Sequence, residues 1–266
     1  MNLLYKNKFY TNYYFGLLIL FLFSFFIRII GLDWDDGFLF HPDERAILMH
    51  TYEISFSSLS RGFEIFDASK SSINPQWFNY GSLPIYFLKL SSILIGFFYN
   101  LDIYELRYPG RLFSIIIDSL SVVFITILSS FFVGRKWSFL SGIFLTFSVI
   151  NIQNSHFYTT DIFITFFIII LIITSYKNIE NPTTKISIFL ALFFSMGLAF
   201  KFSFLPSIIP IFFSYFFVYR SNYLSRYEFL KLLLIFFFSV MCFLAIFQPY
   251  MFLDYSTYIS HILEQS

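Results

Sequence analysis

PIYFLKLSSILIGFFY, residues 84–99, decides how this chain is folded, because its topology turns on whether these sixteen residues cross a membrane. At 1.5 Å per residue a helix of that length reaches about 24 Å, short of the ~30 Å hydrocarbon core of a bilayer. It also sets Lys89, Ser92 and Gly96 along one face, as in a helix lying in the interface. A short tilted span with a snorkelling lysine is the competing reading.

Seven further apolar runs surround it, at about 13–30, 112–133, 137–152, 162–176, 186–200, 205–219 and 229–247. Lysine and arginine in short loops mark the cytoplasmic side. If all eight runs span, the clusters Arg135/Lys136, Lys177/Lys185 and Arg220/Arg226/Lys231 alternate between faces. If 84–99 does not span, all of them join Lys6 and Lys8, giving nine basic and two acidic residues (Glu180, Glu228) on one side. The other side then collects thirteen acidic residues, from Asp33 to Glu264. The second arrangement follows the charge rule and gives seven transmembrane helices with a cytoplasmic N-terminus. One long external segment, 31–111, holds a loop and one or two interfacial helices. The remaining loops are short, so function is expected in the long one.

Composition agrees with an all-α polytopic membrane protein. With 58% hydrophobic and 12% charged residues and a mean hydropathy of +0.72, a soluble fold would expose large apolar patches. The first run is longer than a secretory signal core and lacks a small-x-small cleavage site, so it is read as an anchor. The 43 phenylalanines reflect a biased composition and carry no functional weight. A formal net charge of +1 gives no sign of a nucleic-acid partner, and a single cysteine, Cys242, forms no internal disulfide. No Walker A loop, GxSxG, HExxH or CxxC occurs, which leaves ATPase, serine hydrolase, zincin and dithiol chemistry without a motif.

Asp43 and Glu44 stand together in Phe40-His41-Pro42-Asp43-Glu44, close after the first span and beside Asp33, Asp35 and Asp36. A carboxylate pair at a low-dielectric boundary can keep one member as a base or hold a divalent cation; in a solvated acidic loop it would do neither. Tyr80-Gly81-Ser82-Leu83-Pro84 opens the 84–99 helix, glycine permitting a sharp turn and proline fitting the first helical turn. Lys89 on its polar face could meet an anionic head group. Arg107 and Arg111 begin the second span on the outer face, against the positive-inside trend. Either they pair with Asp102, Glu105 or the acidic loop, or these forked donors bind phosphate. His156-Phe157-Tyr158-Thr159-Thr160-Asp161 joins the third and fourth spans outside, near Asn151, Gln153 and Asn154, and would complete a polar cleft with the first loop. Asp161 alone could equally be an acid at a helix N-terminus. Lys201 ends the fifth span outside, placed to snorkel or to neutralise phosphate. Asp118, about two turns into the second span, either pairs with a neighbouring helix or is held neutral.

In this order and spacing, Arg28-x-x-Gly31-Leu32, His41-Pro42-Asp43-Glu44, Tyr80-Gly81-Ser82-Leu83-Pro84, Arg107, the 156–161 turn, and Gly197-Leu198-Ala199-Phe200-Lys201 with Pro206 resemble the polytopic GT-C glycosyltransferases. The branch most resembled contains the protein O-mannosyltransferases and lipid A aminoarabinose transferases. The likeness covers nearly the whole chain; each motif is short, and the Asp-Glu pair is the most specific. It implies a seven-span module with a large first external loop, a polyprenyl-phosphate sugar donor, and transfer outside the cytoplasm to a protein, lipid or glycan. Carried over by position, Asp43 is the catalytic carboxylate with Glu44 beside it, Arg107 a phosphate-side residue, and Asp161 part of the second external turn. Inverting transfer needs a base for the acceptor hydroxyl and cations for the departing phosphate. Arg107, Arg111 and Lys201 are expected on that phosphate, with Lys89 and His156 behind them. His41, Tyr80, His156 and Asp161 are expected to line the substrate pocket. The scheme requires no cofactor, and a divalent metal on Asp43, Glu44 or Asp161 is compatible with it. A bacterial plasma membrane is the expected setting.

Relatives of this kind usually continue past the seventh span, whereas this sequence ends at Ser266. A fragment, and a minimal form whose missing part a partner subunit supplies, are both open. Two other functions fit parts of the sequence: a non-catalytic GT-C-like subunit that binds a lipid-linked sugar, and a transporter or flippase, for which Asp118 is the sole pointer.

Overall fold

The computed structural model describes residues 3–99, 101–221 and 224–264, with side chains apart from those of 3–11 and 57–61. It is all-helical, with no strand among the described residues. Five segments are long and apolar enough to cross a membrane. They are 12–29 within α1 (Leu3–Ile29), α4 (Arg107–Trp137), α7 (Thr160–Glu180), the run 202–220 and α10 (Arg226–Phe247). The run 202–220 is a 3-10 turn, Phe202–Ser207, leading into α9 (Ile208–Arg220). Two apolar helices are shorter, α3 (Leu83–Gly96) and α8 (Thr184–Phe200). Between α1 and α3 lie α2 (Pro42–Glu53) and a 3-10 stretch, Phe56–Phe66. After α10 come α11 (Tyr250–Leu253) and α12 (Tyr255–Glu264).

The run read from sequence as one span at 137–152 is two helices, α5 (Phe139–Thr146) and α6 (Val149–Ser155), parted where Ser148 is extended. Its hydroxyl donates to the Asn151 amide oxygen, a local bond that competes with helix continuation. The break leaves carbonyls at the end of α5 without helical donors, a serious cost in an apolar medium. Arg28 of α1 fills the gap, donating to the carbonyls of Leu145 and Thr146 at 3.2 Å each. Its charge is met by Asp118 of α4, at 2.5 Å and fully buried, and Asn151 donates to the other oxygen of Asp118. Asp118 is thus half of an ion pair that locks four helices, α1, α4, α5 and α6, which removes the pointer to a charge pathway through the membrane.

Packing follows a row: α1 lies on α4, α4 on α7, α7 on α8 and α9, and α8 on α10. Buried serines and threonines of α4 (Ser114, Ser119, Ser121, Thr126) keep this central helix slim, so that its neighbours approach closely. Outside the row, Phe144 and Phe238 remain about three-quarters exposed, with Leu234, Phe237 and Ile246 also open. Such a surface suits lipid and would be a liability in water. At one end of the row α3 packs on α2, α4 and α8, carrying the first loop onto the tops of the long helices.

Candidate active site

The site grows from a tight turn after α1. Asp36 and Leu39 adopt left-handed backbone angles (φ 49° and 52°) around Gly37. Asp35 holds the turn by accepting from the backbone N–H of Gly37 and Leu39 at 3.3 and 3.1 Å. The chain then enters α2, with Pro42 in its first turn and Asp43 and Glu44 at its positive end.

Adjacent residues on a helix point about 100° apart, and here that separates the two acids by role. Glu44 is fully buried, accepting from Arg111 Nε and Nη2 at 2.8 and 2.7 Å and from the Tyr158 backbone N–H at 2.9 Å. Arg111 also donates to both oxygens of Asp35, at 2.8 and 2.7 Å, and to the Leu32 carbonyl at 3.0 Å. All five of its N–H groups are therefore used. The Arg111 guanidinium, with the two backbone donors, holds the Asp35 carboxyl down at about 2. Arg111 was expected either on the donor phosphate or paired with the acidic loop, and Glu44 beside Asp43; here the two bind each other in a dry joint between loop and helix.

Asp43 faces elsewhere. The Tyr80 phenol lies beside it, and its pKa is raised first by burial and then by the neighbouring carboxylates of Asp43 and Asp161. Lys201 pairs with Asp161 at 3.1 Å, and its ammonium lies 5.4 Å from the centre of the Tyr80 ring. Asp43, Tyr80, Asp161 and Lys201 thus converge from the start of α2, the loop before α3, the start of α7 and the end of α8. Gly81 makes the meeting possible. Its N–H donates to the Phe200 carbonyl at 3.0 Å, and a Cβ there would collide with the carbonyl of Ala199. The Tyr80-Gly81 and Ala199-Phe200-Lys201 motifs, about 120 positions apart in sequence, are therefore in backbone contact. Lys201 itself is extended (φ −158°, ψ 129°), which ends α8 and turns its side chain out of the helix.

The other candidates sit elsewhere. Arg107 donates to Asp33 at 2.8 Å, to the Tyr104 carbonyl at 2.8 Å and to the Tyr108 hydroxyl at 2.7 Å, so its partners lie in the turn after α1 and at the approach to α4. The hydrogen bond from Arg107 holds the Asp33 carboxyl below its usual range. Lys89 reaches the carbonyl of Tyr52 at 3.4 Å, about 13 Å along α2 from Asp43. His156 donates from Nε2 to the Arg28 carbonyl at 2.8 Å, closing the end of α1 rather than lining the cleft. His41 packs on Phe157 with ring centres 4.5 Å apart, and its Nδ1 is buried without a partner. The sequence offered the acidic loop as a partner for Arg111, and Asp35 is the member that pairs with it; that the Tyr158 backbone N–H caps Glu44 was not foreseen, since a main-chain donor leaves no signal in the side chain.

No group of three His, Cys, Asp or Glu side chains suited to a metal ion occurs among the described residues. Glu44 is held by Arg111 and Asp161 by Lys201. Below the cluster an apolar furrow of about 360 Å³ runs between α7 and the 202–210 segment. Ile164, Ile168 and Leu171 form one wall, on the helix face that descends from Asp161; Phe204, Pro206 and Pro210 form the other.

Among known families, the one described as dolichyl-phosphate-mannose-protein mannosyltransferase matches residues 90–246. No curated protein and no solved structure matches. The matched stretch runs from α3 to the last turn of α10 and takes in Arg107, Arg111, Asp161 and Lys201, while Asp43 and Tyr80 precede it. Since it spans more than half of the sequence, the chain belongs to the GT-C-type dolichyl-phosphate-mannose-protein mannosyltransferase family, membrane glycosyltransferases that use a lipid-linked donor.

Proposed function

We propose that this chain transfers mannose or a related hexose from a polyprenyl phosphate to an acceptor hydroxyl on the extracytoplasmic face of the membrane, with inversion and with Asp43 as general base. The observation that carries this reading is the convergence of a half-exposed carboxylate with Lys201, Asp161 and Tyr80, with an apolar furrow that begins about one turn along α7 from Asp161. The acceptor oxygen forms its bond to the anomeric carbon as the bond from that carbon to the phosphate oxygen breaks. The hydroxyl proton passes to the Asp43 carboxylate. The electron pair of the broken bond stays on the polyprenyl phosphate, whose growing negative charge meets the Lys201 ammonium. Asp161 parks that ammonium until the phosphate replaces it as partner. Tyr80 fixes the direction of the Asp43 carboxylate, and the furrow takes the first units of the lipid tail.

The same reading completes the topology. The five long segments, α8, and the broken pair α5–α6 make seven spans; α2 and α3 lie in the outer interface. Arg135, Lys136, Lys177, Lys185, Arg220 and Arg226 all fall at the cytoplasmic ends of this arrangement. Alpha-8 is about 25 Å long at 1.5 Å per residue, within the range a locally thinned bilayer accepts.

The test is Asp43→Asn, assayed in native membranes as release of polyprenyl phosphate from a polyprenyl-phosphate mannose. Loss of a general base is worth a factor of about 100 to 10,000, with the protein still inserted and folded. Undiminished turnover in that variant would overturn the assignment.

A further inference from the structure

The segment after the last long helix binds the first loop at several points that the transfer mechanism does not use. Tyr250, fully buried, donates its hydroxyl proton to the Ile65 carbonyl at 3.0 Å and receives one from Ser71. Asp254 accepts from the Asn74 amide at 2.9 Å, and that amide also donates to the Ala68 carbonyl. Tyr258, also buried, meets Phe78 edge to face at 5.5 Å. His261 Nδ1 accepts the backbone N–H of Phe78 at 3.1 Å, which fixes the neutral imidazole with its proton on Nε2.

What lies on the other side of this loop gives the contacts their meaning. Trp77, next to Phe78, stacks on His50 with centroids 4.5 Å apart and planes 19° from parallel, and it meets Tyr80 edge to face at 5.5 Å. His50 is seven residues from Asp43 on α2, two turns along the same face. Trp77 is therefore wedged between the helix that carries Asp43 and the tyrosine beside Asp43. The backbone beside it is anchored by His261.

We propose that α11–α12 is a positioning element for the transfer site, and that His261 is its positioning residue, holding Phe78 and Trp77 so that the Tyr80 phenol stays beside Asp43. This rests on the function proposed above, in which Tyr80 orients the base. Mere packing would ask of residue 261 only bulk; positioning asks for a hydrogen-bond acceptor at Nδ1. His261→Leu keeps the bulk without the acceptor, and His261→Asn places an amide oxygen near the position of Nδ1.

The experiment uses the full chain with Trp34→Phe and Trp137→Phe, leaving Trp77 as the one tryptophan. Trp77 emission and acrylamide quenching are measured alongside transfer from polyprenyl-phosphate mannose. His261→Leu should red-shift and expose Trp77 and lower kcat about tenfold or more, with little change in the donor KM. His261→Asn should restore both. Unchanged emission and kcat in His261→Leu, or an asparagine variant no better than leucine, would overturn the proposal. Should His261→Leu fail to fold, Asp254→Ala, which opens the clasp at its other end, is read the same way: a Trp77 shift supports positioning and an unmoved Trp77 refutes it. Absence of transfer in the unsubstituted chain would sink the transferase reading alone, since Trp77 emission still decides whether α11–α12 sets the loop.

Discussion

Arg111 uses every N–H it has on groups from the loop after α1 and from α2, so two carboxylates share one guanidinium in a dry site. The remaining negative charge is spread over backbone donors from Gly37, Leu39 and Tyr158 and over the start of α2. Removing the cation leaves the acids buried and unpaired. Arg111→Met should cost about 3–5 kcal/mol, read as a lower melting temperature in detergent. Arg111→Lys should recover little, because an ammonium cannot reproduce a planar five-donor fork. Acid gives a second check. The folded Asp35 carboxyl, at about 2, lies below the ordinary carboxylate value near 4. Its stabilising contribution is therefore complete above about pH 4 and is lost as pH falls from there through about 2. Unfolding followed between those limits should show the loss, and Asp35→Asn should flatten that part of the profile. Under the proposed mechanism Tyr80→Phe removes the hydroxyl that orients the Asp43 carboxylate, and a hydrogen bond to a charged oxygen is worth about 1.5–3 kcal/mol. A roughly ten- to hundredfold fall in kcat with a near-normal melting temperature is expected.

At the scale of elements, function depends on where helices stop. Alpha-8 stops at Phe200, and the first loop docks there through Gly81, whose backbone lies against Ala199 and Phe200. Any side chain at 81 must push the loop off α8 and part Tyr80 from Lys201. Gly81→Ala should therefore lower turnover by about a hundredfold, as misplacement of roughly an ångström can, while the long helices remain folded by circular dichroism. The break between α5 and α6 works differently. It exposes carbonyls that Arg28 covers, and the Arg28–Asp118 pair is the consequence. Asp118→Leu alone should destabilise by about 3–5 kcal/mol, and Arg28→Met with Asp118→Leu by less than the sum of the single changes, since the double variant leaves no unpaired charge although the α5 carbonyls lose their donor. A double-mutant cycle on thermal unfolding measures this.

Over the whole molecule, orientation is the property that charge alone forecasts, and cysteine labelling tests it. In a Cys242→Ser background, Lys70→Cys in the first loop should react with a membrane-impermeant maleimide in intact cells, and Lys136→Cys at the far end of α4 only after permeabilisation; the reverse pattern would invert the topology. The apolar runs, the basic clusters and the short 84–99 helix were legible in sequence because hydropathy and charge are properties of composition along a chain. So was the order of the motifs around Asp43, Tyr80, the 156–161 turn and Lys201. Sequence did not reveal which of these meet. Adjacent Asp43 and Glu44 look equivalent, yet one faces Tyr80 and the other is sealed under Arg111. Arg107, Arg111 and Lys201 look alike in sequence, yet Arg111 and Arg107 bind groups of the loop after α1 while Lys201 pairs with Asp161 at the start of α7. The split of 137–152 into two helices was equally hidden, since the donor that offsets its open carbonyls lies on α1. By itself the sequence determined that this chain lives in a membrane and the family to which it belongs. Tertiary structure alone decided which acids and cations remain available for chemistry, because a charge is consumed or spared by partners brought from distant parts of the chain.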